Sequence, residues 1–353
     1  MDSVANTLSA EQLLRIPLTE PERLFAPGLR EAELEFRRMA SKWHPDRCTD
    51  PRANHVFAHV KALHEEAQRR LHNHTWNTPG LKRFTADDDR VFEIRYARRH
   101  EFELGEAYVG RTAVAYALPR AQADMMTQAR RSFGQFVYAD LRMREQIAPS
   151  LPTLPVAGLF ETAEASVMVL SKSPEMLLLR DVLACCGDRM EARHVAWIIS
   201  TALNLACYLQ YAGLTHNAIS PDTYFISPRL HGGALYGGWW YACRAGHRMR
   251  AAPERTLEYG PYNLMRNKIA DSRTDLELIR AMGRELLGDV SGVRLTRDKA
   301  APVAMIKWLR LPASADAVTE YQTWQRQVLK DSFGARRFTK LEISHGDIYS
   351  EGA

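Results

Sequence analysis

Three groups of residues have the types and spacing to do chemistry. The first is Ser41-Lys42-Trp43-His44-Pro45-Asp46-Arg47, where a proline separates an imidazole from a carboxylate. The tripeptide either presents its polar side chains to a partner or simply caps and ends a helical hairpin. The second is a run of histidines, His59, His64, His72 and His74, which have donor atoms for a metal but the spacing of residues decorating a helix and its end. The third is the vicinal pair Cys185-Cys186, which offers redox chemistry, although an apolar helical context favours packing. With Cys48, Cys207 and Cys243 the cysteines number five. An odd count with no Cys-x-x-Cys spacing argues against a disulfide framework or a zinc site and fits a reducing compartment.

Two amphipathic stretches must position the first group. From Leu29 to Trp43 the apolar residues Leu29, Ala32, Phe36, Met39, Ala40 and Trp43 recur at helical spacing, with Glu31, Glu35, Arg38 and Lys42 on the other side. Pro45 ends that helix, because it lacks an N–H and disfavours helical geometry at His44. A second stripe, Ala53, Val56, Phe57, Val60, Leu63, Ala67 and Leu71, follows Asp50-Pro51, an N-cap and a first-turn proline. Two helices joined by a short loop should zip their stripes together, and a shorter helix near Glu20 to Phe25 would close the core.

This arrangement resembles the J domain of DnaJ-type co-chaperones over about residues 17–72. The resemblance implies that the loop docks on a DnaK-type ATPase chaperone and stimulates its ATP hydrolysis, with roles for His44, Pro45 and Asp46. Arg37, Arg38 and Lys42 would supply a basic docking face. Asp46 would offer a carboxylate to an arginine of the partner while His44 and Pro45 fix the loop. On an architectural reading, Glu35, Arg38 and Lys42 are only a solvated helix face. Glycine-phenylalanine and cysteine-rich segments found in many full-length members are absent.

Residues His72 to Arg90 carry turn formers and no apolar period and read as a connector. From Val91 the texture becomes β-prone, with strands expected over Val91–Ile94, Phe102–Tyr116 around a glycine turn, and Ser166–Leu170. Ala123 to Ile147 reads as helical, and from Glu191 onward helix dominates, interrupted by short strands at Tyr224–Ile226 and Ala234–Tyr236. A β-rich part followed by a larger helical part resembles the two-lobed protein-kinase fold over about residues 99–340. More narrowly it resembles bacterial and phage chains that join a J domain to a kinase-like domain.

That second resemblance implies a degenerate site. Only Gly105 and Gly110 stand where a glycine-rich phosphate loop belongs, no strand lysine is evident, and Glu145 is an unpaired candidate for the helix glutamate. In Thr215 to Thr223, His216 and Pro221 keep the catalytic-loop pattern. The aspartate, lysine and asparagine positions fall on Ala218, Ser220 and Thr223, and the metal-binding aspartate position on Gly238. Without those carboxylates, magnesium and the acceptor hydroxyl have no partner. Glu254, in Ala252-Pro253-Glu254, and Asp275, expected to bond catalytic-loop amides, are structural carry-overs.

The expected architecture is therefore α+β, a helical J-domain hairpin followed by a two-lobed kinase-like domain. Its parts are an arm over 1–16, the J domain over 17–74, a linker over 75–98, a small lobe over 99–181, a large lobe over 182–340 and a tail over 341–353. At 353 residues and 46% hydrophobic the chain can bury such cores. Lys and Arg exceed Asp and Glu by only 47 to 42, with no basic run, so nucleic-acid binding is not indicated. The uncharged stretch Val195–Leu214 holds Ser200, Thr201, Asn204 and Gln210 and lacks interfacial belts, which favours a core helix over a membrane span. The N-terminus has no signal-peptide core, and a cytoplasmic setting is expected, the host's if the source is a phage. Together the two resemblances imply a co-chaperone without cofactor, metal or catalytic residue, recruiting a DnaK-type ATPase while the kinase-like part binds an unknown protein client. The alternative is a divergent kinase-like phosphotransferase or nucleotide-responsive switch.

Overall fold

A computed structural model describes the chain except for residues 1–7, 17, 19–20, 27, 73–79, 263, 336 and 350–353 and the side chain of residue 265. It divides into two compact units, Met1–Thr78 and Pro79–Ala353.

The first unit contains α1 (Ala10–Leu14), a single helical turn at Pro21–Arg23, α2 (Leu29–Lys42) and α3 (Ala53–His72). Met39 and Trp43 from the end of α2 meet Val56, Val60 and Leu63 from α3 in one apolar cluster. Residues 1–16, expected as an arm, are partly helix. Ser9 and Gln12 form a reciprocal capping box, and Leu13 and Ile16 are buried against the hairpin. Leu29, expected in the core stripe, is 45% exposed in the first turn of α2.

The described histidines of the run are engaged in separate contacts. His64 is buried, stacked on Phe36 at 4.1 Å and edge-on to Phe25, and burial lowers its pKa. His59 Nε2 lies 2.8 Å from the Ile16 carbonyl, and His72 Nδ1 lies 2.8 Å from the Gln68 carbonyl. His74 lies outside the described residues, among which no cluster of metal-ligating side chains occurs.

The second unit begins with β1 (Gly80–Thr85) and β2 (Val91–Tyr96), an antiparallel hairpin; β2 covers the strand expected over Val91–Ile94, and β1 lies where a connector was expected. Phe84, Ile94 and Tyr96 pack with Tyr108, Phe160 and Val167, so the hairpin covers one face of the main sheet. Lys82, Arg83 and the Asp87-Asp88-Asp89 turn mask this alternation in the sequence.

The main sheet contains β3 (Arg98–Phe102), β4 (Gly105–Val109), β5 (Ala113–Pro119), β6 (Leu159–Glu161) and β7 (Ala165–Ser171). It is antiparallel throughout, in the order β3-β4-β5-β7-β6. Between β5 and β6 the expected single helix is two, α4 (Ala123–Phe133) and α5 (Leu141–Ile147), divided at Gly134.

Beyond β7 the chain is mainly helical. A short sheet joins β8 (Leu177–Leu178), β10 (Tyr224–Ser227) and β11 (Gly232–Leu235), and β9 (Leu214–Thr215) pairs with β12 (Cys243–Arg244). The helices are α6 (Leu179–Cys185), α7 (Ala192–Tyr211), α8 (Glu254–Tyr259), α9 (Leu264–Asn267), α10 (Ser272–Leu286), α11 (Val303–Arg310), α12 (Ala317–Thr323), α13 (Leu329–Phe333) and α14 (His345–Ile348), with a π-turn at Trp324–Val328 between α12 and α13.

The uncharged stretch is α7, the spine of this lobe, with eleven buried residues. Its hydroxyls are satisfied within the helix, Ser200 donating to the Ala196 carbonyl and Thr201 to that of Ile198. Among the described residues no helix is long and apolar enough to cross a membrane. The expected tail over 341–353 is packed in its described part. Tyr349 is 2% exposed, and its hydroxyl donates to Asp181 Oδ2 at 2.7 Å and accepts the Leu178 N–H at 3.2 Å.

Candidate functional site

The first candidate site is the turn between α2 and α3. The N–H groups of Arg47 and Cys48 both donate to the His44 carbonyl at 2.9 Å, closing a turn directly after the helix. His44 lies edge-on to Phe57 of α3, 5.8 Å between ring centres, and its Nδ1 accepts the Asp46 N–H at 3.2 Å. The imidazole therefore anchors the turn to the second helix while Asp46, with its side chain 87% exposed, projects outward. Asp50 caps the return by accepting from Arg52, whose guanidinium holds its carboxyl down at about 2. Arg37 is exposed and pairs with Glu33 at 2.8 Å. Arg38 is exposed one helical turn before Lys42, whose ammonium lies 5.6 Å over the Trp43 ring.

The second is the cleft between the β-rich and helical lobes. Phe102 pairs with Gly105, so the β3–β4 turn is only Glu103 and Leu104, too tight to arch over phosphates. The two glycines have other work: a Cβ on Gly105 would lie 2.1 Å from the Ala117 carbonyl oxygen, and one on Gly110 2.5 Å from that of Arg95. They permit close backbone packing, not anion binding. Glu103 adds a carboxylate at this turn, and it accepts the Glu254 N–H at 2.8 Å.

From the central strand β5, Tyr116 reaches the cleft, packing against Phe102 and Trp240, while Phe102 stacks on Trp240 at 5.3 Å. This three-ring plug joins the β3–β4 hairpin, β5 and the segment after β11. The helix beside the sheet, α4, buries Met125, Met126 and Ala129, and Glu145 is exposed on α5. No lysine–glutamate pair bridges strand and helix among the described residues.

The loop after β9 is built around backbone satisfaction. Asp275, in the first turn of α10, accepts the His216 and Asn217 N–H groups, both at 2.8 Å. His216 is fully buried; its Nε2–H donates to the Gly237 carbonyl at 2.9 Å while Nδ1 accepts the Ala218 N–H at 3.3 Å. Burial pulls its pKa down to about 3 and pushes that of Asp275 up to about 7. The Thr223 hydroxyl turns inward to the Ala218 carbonyl at 2.7 Å and accepts the Ser220 N–H at 3.0 Å. Asp222 is held by Arg180 through two 2.7 Å contacts.

Neither Gly237 nor Gly238 has room for a side chain. A Cβ on Gly237 would lie 2.9 Å from the Tyr116 hydroxyl and 3.1 Å from Thr223 Cα. Gly238 is left-handed at φ +79°, and its Cβ would meet His216 and Ala218. Glu254 is exposed and touches the β3–β4 turn through its backbone.

What the cleft retains is a cavity of about 320 Å³ lined by Ala107, Val109, Leu178, Phe225 and the plug. His100 Nε2 lies 3.0 Å from Asp181 Oδ1 at its edge, linking β3 to α6. The Tyr349 contact to Asp181 was not foreseen, since a single tyrosine beyond the last helical period carries no sequence signal.

No family model and no curated protein sequence matches the chain. Among solved structures, that of vaccinia related kinase 3 superimposes with a TM-score of 0.50 at 13% identity, over 70% of this chain and 91% of that one. A span of that size exceeds Met1–Thr78 and lies mainly in the larger unit. The sheet, the cleft and the helical lobe thus make up a protein-kinase-like fold.

Proposed function

We propose that the chain is an interaction protein, a co-chaperone whose α2–α3 turn recruits a DnaK-type ATPase and whose kinase-like unit binds a protein client without phosphoryl transfer. The contrast between the two sites carries this reading. At the turn, an exposed carboxylate is held by a buttressed histidine. In the cleft, Ala218, Thr223 and Gly238 stand where a kinase carries its catalytic aspartate, asparagine and metal-binding aspartate, and the carboxylates that line the cavity are engaged elsewhere, Asp222 by Arg180, Glu101 by Arg99 and Glu103 by the Glu254 N–H. Bidentate pairing of Asp46 with an arginine of the partner would supply geometric selectivity beside the basic face of Arg37, Arg38 and Lys42. The partner's ATPase rate measured with Asp46→Asn tests it: stimulation should fall at least tenfold with the fold unchanged, and full stimulation by the variant rejects the docking role.

A second reading, a nucleotide-responsive switch, has the 320 Å³ cavity in its favour. Thermal unfolding with and without ATP and magnesium separates the two. The first reading expects no shift in midpoint, the second a clear rise.

A further inference from the structure

On the side of the helical lobe formed by α7 and α13, a cavity of about 640 Å³ lies among residues none of which belongs to the cleft. We propose that this cavity is a binding site for a small organic anion with a flat aromatic body. Its volume is that of a small-molecule site rather than a peptide groove.

Charge is the first argument. Arg193, Lys330 and Arg337 line the cavity, and no carboxylate does among the described residues. Arg193 lies 5.1 Å over the Phe333 ring, which aims its guanidinium while leaving most of its hydrogen-bonding donors for a ligand. Glu191 stands off at 4.0 Å and does not line the cavity. Among the described residues the acid set against these three cations is Glu191, which meets Arg193 alone and at 4.0 Å, so the concavity keeps a positive excess that attracts an anion.

Shape is the second. His231 is sandwiched between Trp197, at 4.5 Å and 5°, and Phe338, at 4.1 Å and 17°. This stack forms an aromatic wall whose last ring, Phe338, is 68% exposed, so a further planar group can extend it. His231 adopts φ +48°, a conformation that non-glycine residues sustain only when their surroundings hold them, and such residues gather at ligand sites. The Trp324–Val328 π-turn precedes α13, placing Gln325, Leu329 and Lys330 along the cavity. A ring on the stack with its negative group between Arg193 and Lys330 would satisfy both features.

Calorimetric titration of the full chain with adenosine 5′-monophosphate and 1-naphthyl phosphate tests the site, with adenosine and inorganic phosphate as ring-only and charge-only controls. At least one aromatic phosphate should bind saturably, and both controls at least tenfold more weakly. The double variant Arg193→Glu, Lys330→Glu alters one half-buried and one exposed charge and should stay folded, as read by its circular dichroism, while losing at least tenfold in affinity. Phe338→Ala should weaken binding of the aromatic phosphates without affecting phosphate. The proposal fails if neither aromatic phosphate binds at millimolar concentration, if phosphate alone binds as well as they do, or if the double variant binds normally, which would place the ligand elsewhere. The site does not depend on the co-chaperone reading, and the Asp46→Asn experiment leaves it untouched.

Discussion

At the scale of single residues, the buried pair behind the Thr215–Thr223 loop gives a pH signature. His216 titrates near 3 in the folded chain against an ordinary 6.5, so between those values the unfolded chain holds a proton the folded chain lacks, and this group makes stability rise with pH. Asp275 titrates near 7 against 3.8, so the folded chain holds the extra proton and stability falls with pH over nearly the same window. The two oppose each other. His216→Gln removes the first and leaves the second, so the stability of the variant relative to the native chain should rise as the pH falls from 6 to 4.5, by on the order of 1 kcal/mol per pH unit. Parallel stability curves from urea unfolding at the two pH values would rule this out. The loop also predicts that Ala218→Asp gains no kinase activity, because the metal-binding aspartate position remains Gly238, where a side chain would meet His216 and Ala218; phosphate transfer in a radiolabel assay would refute this.

Elements carry the stability. The three-ring plug ties the β3–β4 hairpin to the helical lobe, and Trp240→Ala should lower stability by about 3–5 kcal/mol through cavity formation, read as a shift in the denaturant midpoint. Arg280 on α10 and Glu320 on α12 form a buried pair at 2.7 Å, with the guanidinium also donating to the Leu311 carbonyl. Removing one partner strands a buried charge, so Glu320→Ala should cost about 3–5 kcal/mol, more than the exposed Arg37–Glu33 pair could contribute.

Elements were also the most legible part of the sequence. The α2–α3 stripes and the long uncharged α7 stand out because a helix shows its buried face every third or fourth residue. Of the β1–β2 hairpin, β2 showed in Val91–Ile94 but β1 did not, since Lys82 and Arg83 interrupt its alternation and the acidic turn resembles a linker. In the cleft, the residues at the loop after β9 could be read from order alone. The plug could not, because Phe102, Tyr116 and Trp240 meet only across three separate segments. The Tyr349 latch and the Arg193–Lys330 cavity are equally non-local.

For the whole molecule, two separate apolar cores imply two folding units. The cluster around Leu13, Trp43 and Leu63 contains residues of Met1–Thr78 alone. Calorimetry should therefore resolve two transitions. Leu63→Ala, which empties a fully buried position, should lower one by about 2–5 kcal/mol and leave the other in place. A single transition that moves as a whole would show the units to be coupled. If the proposed aromatic anion binds the helical lobe, it should raise the other transition alone.

The crowding at Gly237 and Gly238 bears on how such a chain can evolve. A side chain gained at either glycine meets the Tyr116 hydroxyl and Thr223, or His216, Ala218 and Thr223, so neither position accepts an acid unless its neighbours move. Variation at these two positions is thereby bound to variation at positions 116, 216, 218 and 223: a change in one calls for a change in the others.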